Sequence, residues 1–134
     1  MSLRSIPLLV VSFIFYNVFV LMSGTDALRS NIFEVAMLSG GVWAFTWGDL
    51  IILVTLFLLF IELVKATYTT TSSLVDHGLS MIVFVACLVE FLLTPQAASS
   101  VFFILMVATA IDVVAGFTIG IRVARRDLAI GADH

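Results

Sequence analysis

Residues Val101–Ile121 read VFFILMVATAIDVVAGFTIGI, 21 positions with a single charged side chain, Asp112. A helix crosses the roughly 30 Å hydrocarbon layer of a bilayer with about 20 mostly apolar residues. This run has that length, contains no proline, and is bounded by Ser99-Ser100 before it and Arg122 after it. Three more stretches of the same kind precede it, near residues 6–22, 42–64 and 74–93. The second has its apolar heart at Leu50–Val64 and gains length by starting near Val42. That start sets Trp43 and Trp47 in an interfacial aromatic belt. For the third, Ser73 is a suitable N-cap, Asp76 suits the positive helix start, and Pro95 ends the helix.

Composition agrees with four spans. The chain has 134 residues, 62% apolar and 11% charged, with a mean hydropathy of +1.23. Soluble domains run near half apolar and a quarter charged, so too few polar side chains exist here to cover a water-exposed surface. Backbone chemistry selects helices, because in hydrocarbon every N–H and C=O must be satisfied within the protein. The long continuous apolar runs also lack the strict alternation of a membrane barrel. Met1–Arg4 followed by Ile6–Met22 has the outline of a signal peptide. Tyr16 and Asn17 interrupt the apolar region, however, and three further spans follow, which favours an uncleaved first helix.

Basic residues set the orientation. Arg4, Lys65, Arg122, Arg125 and Arg126 fall on one side of the four runs and only Arg29 on the other, a positive-inside pattern that places both termini in the cytoplasm. The expected fold is therefore all-α. Residues 1–134 form one domain, a polytopic antiparallel bundle of four transmembrane helices, N-in and C-in, suited to a bacterial inner membrane. Lys65, Arg122, Arg125 and Arg126 are its inner-face anchors, with the arginines contacting anionic lipid. On the outer side, Thr94–Ser99 is a tight connection. Residues 31–38 form either an amphipathic helix, from the spacing of Ile32, Val35 and Ala36, or an ordered loop. Gly40-Gly41 reads as a flexible joint before span two.

Ionisable side chains at bilayer depth are costly and mark function or assembly. Asp112 lies 12 residues into span four, about 18 Å from its start and so near the midplane. No Lys or Arg lies within an apolar core, so Asp112 has no counter-charge at its own depth. Such a carboxylate takes up a proton or is matched by a cation or water. Thr109, Asp112, Gly116 and Gly120 share one helix stripe, and the two glycines form a small-xxx-small pair that permits close packing. Counting turns groups Ser12 and Ser80 with Asp112, and Asn17 with Glu90 in an outer layer. Asp112, Glu90, Ser80, Ser12 and Asn17 are thus the candidate intramembrane polar site. With Glu62 or His77 they make a ladder for protons or a small cation; on the plainer view, Asp112 donates an interhelical hydrogen bond.

No phosphate-cradling loop, nucleophile elbow or HExxH pair occurs. His77 lacks a second ligand at regular spacing, and Cys87 is the lone cysteine and has no base in view, so neither a metal nor another cofactor is expected. No basic patch with interleaved aromatics exists, which excludes nucleic acid as a partner. The partners expected are the lipid bilayer and either further copies of the chain or another membrane protein. Three functions follow: first an accessory or assembly subunit of a membrane complex, second a small homo-oligomeric channel or proton- or cation-coupled transporter, and third a membrane enzyme.

Overall fold

The computed structural model describes residues 6–67 and 73–132. Arg4, His134 and most of the Lys65–Ser73 connection lie outside the described residues, as do the side chains of Ser73, Asp76 and His77. The described residues form four α-helices and one β-hairpin, with short 3-10 turns at Thr25–Arg29 and Pro95–Ala97: α1 Leu9–Ser23, β1 Asn31–Ala36, β2 Val42–Thr46, α2 Trp47–Ala66, α3 Ser73–Leu93 and α4 Ser100–Ala132. Two helical segments are long and apolar enough to cross a membrane, Trp47–Ala66 and Ser100–Arg122, with mean hydropathies of 2.3 and 2.2. α1 is shorter, at 15 residues, because Pro7 sits at its start and Gly24, at φ 83°, reverses the chain after Ser23.

The segment between α1 and α2 corrects three expectations. Residues 31–38 form no helix, and only Met37 and Leu38 belong to a connection, the hairpin turn. Asn31–Ala36 is a strand paired antiparallel with Val42–Thr46, Phe33 opposite Phe45 and Val35 opposite Trp43. The second helix accordingly begins at Trp47 and not near Val42. Aromatic and β-branched residues suit a pleated ribbon, and Phe33, Trp43 and Phe45 pack ring on ring with centroids 4.9–5.9 Å apart. Gly40-Gly41 is no joint but part of the hairpin turn. Gly40 takes φ 93°, and the Met37 N–H donates to the Gly41 carbonyl at 2.7 Å.

β2 runs directly into α2 through a capping box. Thr46 Oγ1 accepts from the Asp49 N–H and Asp49 Oδ2 from the Thr46 N–H, both at 3.1 Å, so two of the helix's free donors are satisfied reciprocally. At the start of α4, Ser99 caps in the same manner, its Oγ accepting from the Phe102 N–H at 3.2 Å.

α4 is the centre of the bundle, packed along both α2 and α3, while α1 lies chiefly against α2. Near the hairpin end the core is built on Phe102, fully buried, with ring centroids 5.0 Å from Tyr16 and 6.3 Å from Phe13 and Phe91. Toward the opposite end Leu9, Leu59 and Ala108 close a second, smaller cluster. Gly48 lets the starts of α2 and α4 meet. A Cβ there would come within 2.8 Å of Val101 Cγ2 and 3.1 Å of the Leu28 carbonyl.

Candidate functional site

Polar side chains gather inside this bundle. Ser12, Thr55, Glu62, Ser80, Thr109 and Asp112 are all buried, while large apolar residues such as Ile14, Leu53, Phe57, Phe60, Ile82 and Val114 face outward. The interior polar groups fall into three layers.

Nearest the hairpin, Asn17 Nδ2 donates to Glu90 Oε2 at 3.1 Å and to the Phe13 carbonyl at 2.9 Å. Tyr16 beside it donates to the Gln96 carbonyl at 2.8 Å and shares a 2.6 Å hydrogen bond with Ser99 Oγ. α1 is thereby fastened to α3 and to the Thr94–Ser99 connection by side chains whose alternative partners inside the bundle are few.

The middle layer holds Ser12, Thr55, Cys87 and Thr109. Thr55 and Thr109 turn their hydroxyls back to the Ile51 and Met106 carbonyls of their own helices, at 2.7 and 2.6 Å. The Cys87 thiol hydrogen-bonds Thr109 and is fully buried, a packing residue and not an exposed nucleophile. Ser12 is 0% exposed, and its Oγ finds no partner among the described residues.

At the opposite end lie the two acids. Asp112, 5% exposed, hydrogen-bonds Ser80, which is buried beside it. It also lies within electrostatic range of Glu62 and, more weakly, of Lys65. Glu62 Oε1 accepts the Leu8 N–H at 2.6 Å and sits 3.5 Å from Lys65 Nζ. A carboxylate from α2 therefore caps the N-terminus of α1, where free N–H groups and the helix dipole favour negative charge.

Two expectations change. Asp112 is not without a counter-charge in reach, since Lys65, expected only as an anchor, bends toward Glu62 next to it. Ser12 does not share the layer of Asp112 and Ser80. Leu9, one turn before it, packs on Leu59 and Ala108, and the acids lie a further turn beyond these. The Asn17–Glu90 hydrogen bond sets the register of α1 against α3, and from it Ser12 lies five residues along α1 while Ser80 lies ten along α3, two different heights. Gly116 is buried on α4 and Gly120 half-buried a turn below, and Arg122, Arg125 and Arg126 are exposed where α4 continues past its apolar part.

Sequence reasoning passed over Glu62 as a cap, Tyr16 as a fastener and Gly48 as a contact. The TxxD box at Thr46–Asp49 was a readable signal; the others depend on neighbours distant in sequence. It also missed a crevice of about 480 Å³ at the hairpin end, lined by Asp26, Arg29, Thr46, Asp49, Ser99 and Ser100 among others. Among the described residues no three His, Cys, Asp or Glu side chains gather as metal ligands. Comparison with models of known protein families, with curated proteins and with solved structures found no match.

Proposed function

We propose that the protein is an integral membrane protein of four spans, with both termini cytoplasmic in a bacterial inner membrane, acting by association as an accessory or assembly subunit of a larger complex. The observation that carries this reading is the inverted polarity of the bundle. Acids and hydroxyls are buried, and leucines, valines and phenylalanines are exposed on all four helices. Water opposes that distribution, since exposed patches of apolar surface beyond a few hundred Å² are rare on soluble monomers. Hydrocarbon favours it. α1 and the apolar part of α3 cross as members of the bundle, where local thinning of the bilayer and snorkelling of flanking residues absorb a modest shortfall in length.

Association is favoured by the hairpin. A two-stranded ribbon is marginally stable by itself, and here Phe33, Val35, Met37, Val42 and Trp43 stay exposed. An apolar, aromatic ribbon at the outer mouth of the bundle is suited to a partner's surface. Purification in mild detergent is expected to recover a membrane protein in fixed stoichiometry. Recovery of the chain as a pure homo-oligomer that conducts ions would overturn this function.

A second reading, a homo-oligomeric channel or a proton- or cation-coupled transporter, draws on two buried acids, Asp112 and Glu62, within electrostatic range of each other. One pair of variants separates the two. For an assembly subunit, Asp112→Asn keeps shape and donor ability, so folding, partner recovery and cellular phenotype are expected to stay at wild-type levels. Asp112→Leu then weakens the fold by about 0.6–1.7 kcal/mol, the range of interhelical hydrogen bonds in membranes. For a carrier, Asp112→Asn folds normally and abolishes flux in proteoliposomes.

A further inference from the structure

The exposed side of α4 carries a hollow of about 460 Å³, almost wholly apolar, running from Val107 to Ile119. Small residues, Ala110 and Ala115, lie on the two sides of the central Ile111 and Val114 and leave the space. Thr118 belongs to it without adding a free polar group, because its hydroxyl donates to the Val114 carbonyl at 2.8 Å. Val107, Ile111, Val114 and Thr118 follow one stripe of the helix, and four and seven residues beyond Thr118 that stripe reaches Arg122 and Arg125, both exposed.

Two features say what fits there. The hollow is about 18 Å long, and its greater part, about 10 Å from the level of Asp112 to Ile119, lies in the leaflet on the arginine side. Beyond Val107, toward the hairpin end, Phe103 and Ile104 stand out on α4 and the hollow is not continued. A partner helix crossing the bilayer would follow α4 through both leaflets; an acyl chain occupies one. The guanidinium pair at the other end matches a phosphate in charge and in bidentate geometry. We infer that this face binds one anionic phospholipid of the inner leaflet, an acyl chain lying along Val107–Ile119 and the headgroup phosphate held by Arg122 and Arg125. The assignment of leaflet rests on the cytoplasmic placement of the C-terminus proposed above.

Native mass spectrometry of the full chain in non-ionic detergent, with phosphatidylglycerol and phosphatidylcholine added in equal amounts, tests the binding. The wild type is expected to hold one phosphatidylglycerol with at least roughly tenfold preference, as two basic headgroup contacts imply. Arg122→Gln with Arg125→Gln removes the preference, and both lipids then bind alike. Ala115→Leu fills the hollow, keeps both arginines and loses both lipids. Circular dichroism keeps the test sound: each substituted side chain lies outside the bundle core, so helix content stays at the wild-type level. Undiminished phosphatidylglycerol binding in both variants overturns the site. So does a change of oligomeric state with Ala115→Leu at constant lipid binding, which would make the face a protein contact. Detergent binding is indifferent to membrane orientation, so its failure is distinguishable from a failure of the proposed topology.

Discussion

Leucine in place of Gly48 is expected to produce the largest loss of stability of any single exchange in the bundle. The first carbon of any side chain at this position meets Val101 Cγ2 at 2.8 Å and the Leu28 carbonyl oxygen at 3.1 Å. The first contact is a methyl on a stiff β-branched side chain and the second is backbone, so neither yields without moving an element. Overpacking of this kind costs about 1–3 kcal/mol when the strain is moderate, and leucine adds three more carbons to it. The displaced elements are the start of α4 and the turn at Thr25–Arg29, which together carry the hairpin end of the core. Gly41 supplies the control. Its nearest neighbour, Ser39 Oγ, stands at an ordinary 3.5 Å and its φ is not positive, so Gly41→Ala is expected to be silent. Thermal unfolding in detergent reads both, and equal midpoints for Gly48→Leu and wild type would contradict the close approach of α2 to α4.

Glu62→Leu is expected to release the first turn of α1. Glu62 supplies the acceptor for the Leu8 N–H at 2.6 Å, and α1 has no cap of its own. An ordinary capping loss is about 1 kcal/mol. An N–H left unpaired in a low-dielectric interior raises that toward several kcal/mol. Lys65, partly exposed and now without its 3.5 Å partner, can extend to the surface and limit the damage. Glu62→Gln keeps an oxygen for the Leu8 N–H and loses only the charge, so it is expected to recover most of the stability. Hydrogen exchange at the amides of the first turn of α1 distinguishes the variants: fast exchange in Leu, near wild-type protection in Gln. Equal protection in all three proteins would remove Glu62 as the cap.

How far the sequence reveals this structure depends on whether a feature is local. Val101–Ile121 is legible because twenty-one consecutive residues carry one signal, and Ser99-Ser100 and Pro95 punctuate it with their own backbone preferences. The hairpin was misread for a physical reason. Ile32, Val35 and Ala36 satisfy a helical spacing, and the strand reading becomes preferable only when Val42–Thr46 is recognised as the pairing partner. Gly40-Gly41 announced the turn but names no partner strands. In the candidate site, depth is countable for Asn17 and Glu90 but not for Ser12, and rotation is not countable. Asn17 and Glu90 were grouped correctly by height and are hydrogen-bonded. Glu62 reads from the sequence as the end of a span and as a rung of the ladder with Asp112, but its bond to the first turn of α1 is decided by how the helices pack.

In the proposed topology the inverted bundle sits in a bilayer with the hairpin outside and the arginines inside. Cys87 makes a direct measurement possible, since the native thiol is fully buried and stays silent toward a membrane-impermeant maleimide. Single cysteines at Ser39, in the hairpin turn, and at Arg125, beyond the apolar part of α4, then report the two faces. Ser39→Cys is expected to label on intact cells, and Arg125→Cys only after the membrane is permeabilised. Labelling of Arg125→Cys on intact cells with Ser39→Cys protected would reverse the orientation, and recovery of the protein in the soluble fraction would end the membrane account altogether.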